Sequence, residues 1–398
     1  MSANDNRHNY PWPGLFAYKE SDSQYFFGRE SEIQDVLERI KREVPTVLYG
    51  PSGVGKTSLL CAGIFPQLKR EHFLPVYIRL DHSDDAPPYA TQVAQEIEHR
   101  IKEHNIDIEE LMPSLEQDSP ESLWEVLHRH AYWDKQNFPV RPVLVFDQFE
   151  ELFTLANDRD KIASFIKELE HLAENTMPAS LKNRLKEHGE RLQYKSDRYD
   201  YRIVISLRED FLARLQELSE NIPILGRNRV SIQAMNGEQA LLAVSRPGRE
   251  ILDDKVAEKI VYAVANLHLE RIQKTELARL QVDPSILSLF CSKLNDRRLA
   301  ANESTITVGH VESSGRDILE SYYKECIAKV SSPTQYFIED HLLTSCGFRN
   351  PVAADDVEAA GVPAHDVDKL VKERLLHYEE LQGVRWLEIS HDKLTPIM

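Results

Sequence analysis

Residues 50 to 57 read Gly-Pro-Ser-Gly-Val-Gly-Lys-Thr, which fits the spacing G-x-x-x-x-G-K-[ST]. Glycines allow a backbone in which several N–H groups point at one anion, and a helix that begins there adds positive potential. We expect Lys56 to reach the β- and γ-phosphates of a nucleotide and Thr57 to ligate Mg²⁺ beside them. The pattern therefore predicts a polyphosphate-binding loop. Its candidate residues are Gly50, Pro51, Ser52, Gly53, Val54, Gly55, Lys56, Thr57 and Ser58.

An acidic segment follows the apolar run Val-Leu-Val-Phe at residues 143–146. Because ligands bind at the carboxyl ends of strands in an open α/β sheet, Asp147 is expected to hold Mg²⁺ through its water shell. Glu150 or Glu151 could polarise the attacking water. Gln148 stands where a catalytic glutamate usually follows the aspartate. We therefore expect slow, Mg²⁺-dependent ATP hydrolysis, and which glutamate acts as the base stays open.

Arg208 ends another apolar run, residues 203–207. A planar guanidinium at that point suits contact with a γ-phosphate. On spacing alone, an ordinary ion pair with Glu209 or Asp210 is an equal alternative. The sequence contains no [NT]KxD element of the kind that binds guanine, so we expect ATP rather than GTP.

Apolar periodicity predicts the elements that position these residues. An amphipathic helix is expected over residues 30–43 and another over 56–64. Strands are predicted at residues 47–49, 76–80, 143–146, 203–207 and, more weakly, 230–232. Strands that alternate with helices indicate an α/β fold with a mainly parallel sheet. Residues 88–135 and 158–200 exceed the length of a crossover, so we expect helical insertions there.

Three domains are predicted. The α/β P-loop domain takes residues 1–235. A helical domain is expected over residues 236–333, with helices near 239–244 and 286–294. Helices near 338–345 and 367–375, followed by an alternating strand at 384–389, predict a winged-helix domain over residues 334–398.

Composition limits the function classes. The 398 residues suit two or three domains, and no apolar run approaches the ~20 residues of a membrane helix. The N-terminus does not resemble a secretory signal, so we expect a cytoplasmic protein without a membrane partner. Four cysteines without a CxxC pair argue against a zinc knuckle or a disulfide framework. A net charge of −17 repels nucleic acid over long distances, which makes it an unfavoured partner.

Together, these motifs resemble the STAND class, the signal-transduction ATPases with numerous domains, and specifically its bacterial branch. The resemblance rests on residues 11–16 (Pro-Trp-Pro-Gly-Leu-Phe), 25–30 (Tyr-Phe-Phe-Gly-Arg-Glu), 147–154 (Asp-Gln-Phe-Glu-Glu-Leu-Phe-Thr) and 206–208 (Ser-Leu-Arg). It implies an NLR-like NTPase core with an ASCE-type P-loop fold that binds ATP or ADP with Mg²⁺. It also implies that Phe27, Gly28 and Arg29 lie against the adenine and that Arg208 is a sensor arginine.

Two further resemblances concern the later domains. Residues 282–287, Val-Asp-Pro-Ser-Ile-Leu, fall where the family has a proline-centred loop beside the nucleotide, although the glycine of the commoner G-x-P form is absent. The resemblance implies that Pro284 contacts the adenosine. Residues 389–392, Ile-Ser-His-Asp, resemble a motif whose histidine touches the ADP β-phosphate, which would be His391 here. Without the resemblance, a surface or capping histidine is the commoner interpretation.

The resemblance implies a signalling switch in which ADP holds the subdomains closed. A signal and ATP would open them and permit homo-oligomerisation, in antiviral defence or programmed cell death. The trigger, a protein or a phage-derived molecule, would be read by a sensor outside this chain, and we expect the chain to be the core of a longer protein. One alternative is an AAA+-type DNA-handling ATPase or loader, against which the negative charge counts. A second is a P-loop small-molecule kinase, against which the long helical and winged-helix part counts.

Overall fold

A computed structural model describes residues 10–42, 44–83, 85–111, 122–154, 158–188, 200–219, 222–265, 276–314, 317–344, 349–381, 384–390 and 394–395. The described strands are β1 (Thr46–Gly50), β2 (Phe73–Ile78), β3 (Asp107–Glu110), β4 (His130–Trp133), β5 (Pro139–Phe146), β6 (Arg202–Arg208), β7 (Arg229–Ser231), β8 (Met235–Asn236), β9 (Gln281–Val282), β10 (Val352–Ala353), β11 (Leu376–Leu381) and β12 (Val384–Ile389). The first nine described α-helices are α1 (Glu30–Arg42), α2 (Lys56–Ser58), α3 (Phe65–Arg70), α4 (Tyr89–Glu103), α5 (Leu123–Arg129), α6 (Glu151–Thr154), α7 (Arg159–Ala173), α8 (Ala179–His188) and α9 (Leu212–Ser219). They are followed by α10 (Gly237–Ser245), α11 (Asp254–Ala265), α12 (Pro284–Ala300), α13 (Val308–Ser314), α14 (Asp317–Ile327), α15 (Ser332–His341), α16 (Ala354–Ala359) and α17 (Ala364–Lys372).

The chain forms two compact units, each with its own apolar core. We call Ser31–Pro51 with Gly63–Ile232 the sheet unit. The described parts of Met1–Glu30, Ser52–Ala62 and Gln233–Met398 form the helical unit. Neither unit is one continuous stretch of chain. The segment Ser52–Ala62 of the helical unit lies in sequence between the two parts of the sheet unit.

The sheet unit is built on parallel strands in the order β2, β5, β6, β1, β7. Their apolar runs are buried, as a parallel sheet covered on both faces requires. The predicted strands are confirmed at all five places, with shifts of a few residues at their ends. Strand β6 lies between β1, which leads into the glycine-rich loop, and β5, which leads into Asp147. This inserted strand is the ASCE-type arrangement that we predicted.

Helices pack on this sheet through apolar faces. On α1, the residues Ile33, Val36, Leu37 and Ile40 are buried, which confirms the predicted amphipathic helix. In another part of the core, Tyr89 of α4 meets Phe165 of α7 edge-on with ring centroids 5.6 Å apart. Phe165 in turn meets Phe146 of β5 at 5.8 Å, so the end of the strand that precedes Asp147 is anchored by aromatic packing.

The prediction of a helical insertion over residues 88–135 is wrong in part. Helices α4 and α5 lie in this segment, but β3 and β4 pair with each other antiparallel, and β4 also pairs with the first residues of β5. All four residues of β3, Asp-Ile-Glu-Glu, are exposed. This segment therefore forms a strand because it pairs with β4, since its own sequence has neither a buried face nor a strong strand preference. The second predicted insertion, residues 158–200, is helical in α7 and α8 as far as the described residues reach.

The helical unit begins with helices α10 to α14, which pack around the fully buried Phe290 of α12. The antiparallel pair β8 and β9 ties the start of α10 to the start of α12. Further along, α15, β10, α16, α17, β11 and β12 follow in order, and β12 lies between β10 and β11 in a small sheet. Within the described ranges, no helix combines the length and the apolar character that crossing a membrane requires.

Candidate functional site

Strand ends bring several predicted site residues together in the sheet unit. Gly50, the last residue of β1, is the register partner of Arg208, the last residue of β6. The backbone N–H of Asp147 donates to the Ile78 carbonyl at 3.1 Å, at the end of β2. The carboxyl edge of the parallel sheet therefore collects the first loop glycine, the acidic segment and the sensor candidate.

The loop itself has the backbone that its glycines allow. Gly53 and Gly55 both have positive φ angles, +76° and +91°, a region that favours glycine. Gly55 is the residue before helix α2, which contains Lys56, Thr57 and Ser58. The helix continues as a π-helical turn, Leu59–Ile64, before α3. Successive N–H groups in such a turn and at the start of a helix form a concavity suited to anions.

Two segments of the helical unit contact the outside of this loop. The Ser58 hydroxyl accepts a hydrogen bond from the Tyr18 backbone N–H at 3.1 Å. The Arg29 guanidinium donates to the Val54 carbonyl at 3.3 Å, and the Ser285 hydroxyl donates to the Gly53 carbonyl. The loop is thus supported through its carbonyls and by its first helical turn.

The segment before α1 was predicted to lie against the adenine. Phe27 is partly buried, whereas Gly28 and Arg29 are buried. Gly28 has a φ angle of +85°, and a Cβ there would lie 2.2 Å from the Gln239 carbonyl oxygen of α10. Only glycine fits this close approach. Of these three residues, Arg29 has the most direct contact with the loop, through a carbonyl on the loop backbone.

Asp147 is almost fully buried, with 4% of its surface exposed. Its Oδ2 accepts a hydrogen bond from the Tyr77 hydroxyl at 3.0 Å. Tyr77 lies on β2, beside β5, so it reaches the carboxylate from the neighbouring strand. The bond fixes one carboxylate oxygen and so orients the other.

The two glutamates that sequence reasoning left as alternatives have different partners. Both oxygens of Glu151 are engaged by Arg79, Oε1 at 2.6 Å and Oε2 at 3.3 Å. Glu150 instead accepts a hydrogen bond through Oε2 from the backbone N–H of Arg208, at 3.2 Å. One glutamate is therefore held in a guanidinium fork, while the other is linked to the end of β6.

Arg208 forms an ion pair with Asp210, the alternative that spacing alone could not exclude. Its guanidinium carbon also lies 5.7 Å from the centroid of the Phe211 ring. Its side chain is 20% exposed. An ion pair at the edge of the site does not prevent contact with a phosphate, because an arginine can exchange one anionic partner for another of similar geometry.

Pro284 is the first residue of α12, where a proline is well tolerated because the first N–H of a helix has no intrahelical partner. The Asp283 side chain caps this helix by accepting from the N–H groups of Ser285 and Ile286, at 3.0 and 3.2 Å. Its neighbour Ser285 contacts the phosphate loop at the Gly53 carbonyl, and the contact between Pro284 and the adenosine stays a prediction. His391 lies outside the described residues.

A family model described as Novel STAND NTPase 1 matches residues 11–396. The chain belongs to this family. It is accordingly a P-loop NTPase with an ASCE-type core, which confirms the class that its motifs resemble, and nucleotide binding and hydrolysis follow from membership at that general level. A comparison with curated proteins gave no match.

Solved structures show weak similarity over most of the chain. One is the Aeropyrum pernix Orc1 protein in complex with DNA, at 14% identity and a TM-score of 0.45, covering 93% of this chain and 91% of that chain. Another is the Walker-type ATPase PABY2304 of Pyrococcus abyssi, at 12% identity and a TM-score of 0.46, covering 96% of this chain and 97% of that chain. A third is Cdc6p from Pyrobaculum aerophilum, at 14% identity and a TM-score of 0.42, covering 93% of this chain and 92% of that chain. Similarity at this level carries no argument about function.

Sequence reasoning missed Tyr77, Arg79 and Ser285. Tyr77 and Arg79 stand two residues apart, at and just beyond the end of β2, so their side chains point to the same face. Polar groups at the end of a strand were a usable signal, because that edge of a parallel sheet is where ligands bind. Ser285 had a weaker signal, its place in the first turn of a helix that starts with proline.

Proposed function

We propose that this NTPase is an ATP/ADP-dependent signalling switch that hydrolyses ATP slowly with Mg²⁺. The observation that supports it most is the edge of the sheet unit, where Gly50 pairs with Arg208 and Glu150 bonds to the Arg208 backbone. The positive-φ glycine loop continues directly from Gly50. A phosphate loop, an acidic strand end and an arginine are the parts that phosphoryl chemistry needs.

In this proposal, the amides of Gly53 to Thr57 bind the phosphates and the Lys56 ammonium neutralises the terminal ones. The Thr57 hydroxyl and the Asp147 carboxylate fit Mg²⁺, which in such sites keeps several waters and takes one or two protein oxygens besides phosphate. Across the described residues, no group of three or more His, Cys, Asp or Glu side chains could hold a metal.

We assign the water-polarising role to Glu150 rather than Glu151. A general base must be able to accept a proton, and a carboxylate with both oxygens in a guanidinium fork would first have to leave that pair. Glu151 is in this position with Arg79. Glu150 accepts a hydrogen bond through Oε2 from the backbone N–H of Arg208, the residue proposed to contact the γ-phosphate. Gln148, in the usual place of the base, cannot accept a proton, which fits slow turnover.

The switch is carried into this proposal from the resemblance to the STAND class. The division into residues 1–235, 236–333 and 334–398 remains our proposal, with Pro284 and His391 as readers of the nucleotide from the later domains. The order α15, β10, α16, α17, β11, β12 is compatible with a winged helix. Moving a two-state population from 1:99 to 99:1 needs about 5.5 kcal/mol of differential binding, so ATP and ADP must contact the two states differently. Opening on ATP would permit homo-oligomerisation, with a role in antiviral defence or programmed cell death.

The test is calorimetric titration with ATP and ADP, with and without Mg²⁺, for the wild type and Lys56→Ala. Loss of the lysine charge should weaken ATP binding by more than about tenfold. Lys167→Ala, on the exposed face of α7, is the matched control and should bind as the wild type does. Unchanged ATP affinity in Lys56→Ala would refute the assignment of the phosphate loop.

Solution scattering and light scattering of the ATP-bound and ADP-bound protein test the switch. We expect a larger radius and a higher mass with ATP. An identical radius and mass in both states would show an NTPase without this switch. Turnover stimulated by duplex DNA would instead support a DNA-handling ATPase, and phosphate transfer to a small acceptor would support a kinase.

A further inference from the structure

Two consecutive carbonyls of the phosphate loop are held from outside the loop. The Ser285 hydroxyl donates to the Gly53 carbonyl, and the Arg29 guanidinium donates to the Val54 carbonyl at 3.3 Å. We propose that Arg29 and Ser285 are positioning residues that fix the direction of the loop amides and thereby set its affinity for phosphate. This inference rests on the proposed function, because it concerns the same loop.

Peptide geometry connects these contacts with the phosphate side of the loop. In a planar trans peptide, the C=O and the N–H of the next residue point in opposite directions. The Gly53 carbonyl shares its peptide with the Val54 N–H, and the Val54 carbonyl shares its peptide with the Gly55 N–H. Each of these N–H groups therefore points away from the side chain that holds the carbonyl of its peptide.

The need for such support comes from the glycines. Gly53 and Gly55 have φ angles of +76° and +91°. Glycine adopts these angles without strain, but it also adopts many others, so an unsupported loop would lose considerable conformational entropy on binding an anion. A ligand binds more tightly to a site whose groups are already oriented.

The two holding side chains are themselves fixed. Arg29 is 3% exposed and donates a second hydrogen bond, at 2.8 Å, to the Gln233 carbonyl. It follows Gly28, whose backbone packs directly on α10. Ser285 lies in the first turn of α12, which the Asp283 side chain caps. Both supports therefore come from the part of the helical unit that the β8–β9 pair ties together.

This arrangement makes the phosphate affinity of the loop depend on where α12 lies. A shift of α12 that removes the Ser285 hydroxyl from Gly53 would release one peptide of the loop. Because coupling between two events is reciprocal, phosphate binding would equally favour the position of α12 that keeps the contact. Ser285 in this way connects the predicted helical domain to the phosphate loop.

The test measures the binding of ATP and of inorganic tripolyphosphate, which lacks the base and the sugar, by calorimetry. Ser285→Ala should weaken both ligands by the same factor, about three- to tenfold, as expected for the loss of one hydrogen bond. Nη2 of Arg29 donates to both the Val54 and the Gln233 carbonyls. Arg29→Lys keeps the charge but loses the planar guanidinium that places this nitrogen, so it should also weaken the binding of both ligands. Ser285→Thr keeps a hydroxyl and should restore wild-type binding.

Ser292→Ala, about two turns further along α12, is the matched control and should bind both ligands as the wild type does. The inference is overturned if Ser285→Ala binds tripolyphosphate normally, if only ATP binding weakens, or if Ser292→Ala has the same effect. Thermal unfolding without ligand should show that Ser285→Ala is folded, with a Tm lowered by no more than about 2 °C for the loss of one hydrogen bond. A wild type that binds neither ligand would instead refute the proposed function itself.

Discussion

Exchanging each of two adjacent glutamates for glutamine should have opposite consequences for stability and turnover. In Glu150→Gln, the amide oxygen still accepts the hydrogen bond that the Arg208 N–H makes at 3.2 Å. We therefore expect the fold to be retained and the ability to take a proton to be lost. Positioned general bases contribute roughly 10²- to 10⁴-fold to rate, so we expect at least a hundredfold lower kcat, about 2.7 kcal/mol. ATP affinity should change by less than about threefold.

Glu151→Gln breaks the fork with Arg79 instead. The Glu151 side chain is 18% exposed and that of Arg79 is 54% exposed, so solvent screens much of the attraction. Such a pair contributes about 0.5–1 kcal/mol to the free energy of unfolding. For a protein of this size, we expect a Tm lower by about 1 °C and a kcat within about threefold of the wild type.

The assay is phosphate release at saturating ATP and Mg²⁺, with the dissociation constant for ATP and the Tm measured on the same preparations. Because both variants carry the same substitution at neighbouring positions, each serves as the control for the other. If Glu151→Gln loses as much turnover as Glu150→Gln, or more, the assignment of the base to Glu150 is wrong.

Three further changes test other contacts. Tyr77→Phe removes the hydroxyl that donates to Asp147, so it should weaken only the Mg²⁺-dependent part of ATP affinity, by about three- to tenfold. An equal loss of ATP affinity in EDTA would contradict this role. Gly28→Ala should lower the free energy of unfolding by more than about 2 kcal/mol in urea titrations, because its Cβ would lie 2.2 Å from a carbonyl oxygen at a positive φ. An unchanged urea midpoint would show that the backbone can move to accommodate the methyl group. Asp366→Asn should cost about 2 kcal/mol at pH 7. The backbone N–H of Ser331, with further hydrogen bonds, holds the pKa of Asp366 below its usual range, so this stabilisation is complete above about pH 4 and is lost as the pH falls further. A difference between Asp366→Asn and the wild type that does not shrink as the pH falls from 5 to 2 would contradict that cause.

Patterns confined to short stretches of sequence predicted most of the fold. The five parallel strands are apolar runs, and α1 shows a helical repeat of apolar residues, so burial alone decides them. The glycine loop was equally readable, because the backbone at Gly53 and Gly55 depends on local residue type. The positions of Asp147 and Arg208 at strand ends were predictable for the same reason, since each directly follows or ends a buried strand.

Contacts between distant segments could not be predicted. Arg79 meets Glu151, and Ser285 meets Gly53, across long separations in the chain, and neither pair has a spacing signal. The two glutamates, Glu150 and Glu151, are alike in sequence and differ only in the partners that the fold gives them. Strand β3 was not predicted for a related reason, because this exposed acidic segment forms a strand only by pairing with β4.

The interleaving of the two units along the chain has a consequence for biosynthesis. All residues of the sheet unit have been made once residue 232 is added, but the helical unit also contains Ser52–Ala62 and needs partners from after Gln233. Helix α12, which brings Ser285 to Gly53, begins roughly 230 residues after the loop, a delay of roughly 10–50 s at typical ribosomal speeds. Gly28 and Trp12 gain their neighbours somewhat earlier, once α10 and the residues just after it have been made. A nascent chain would therefore gain its fully supported phosphate loop late, which delays nucleotide loading until much of the helical unit has been synthesised.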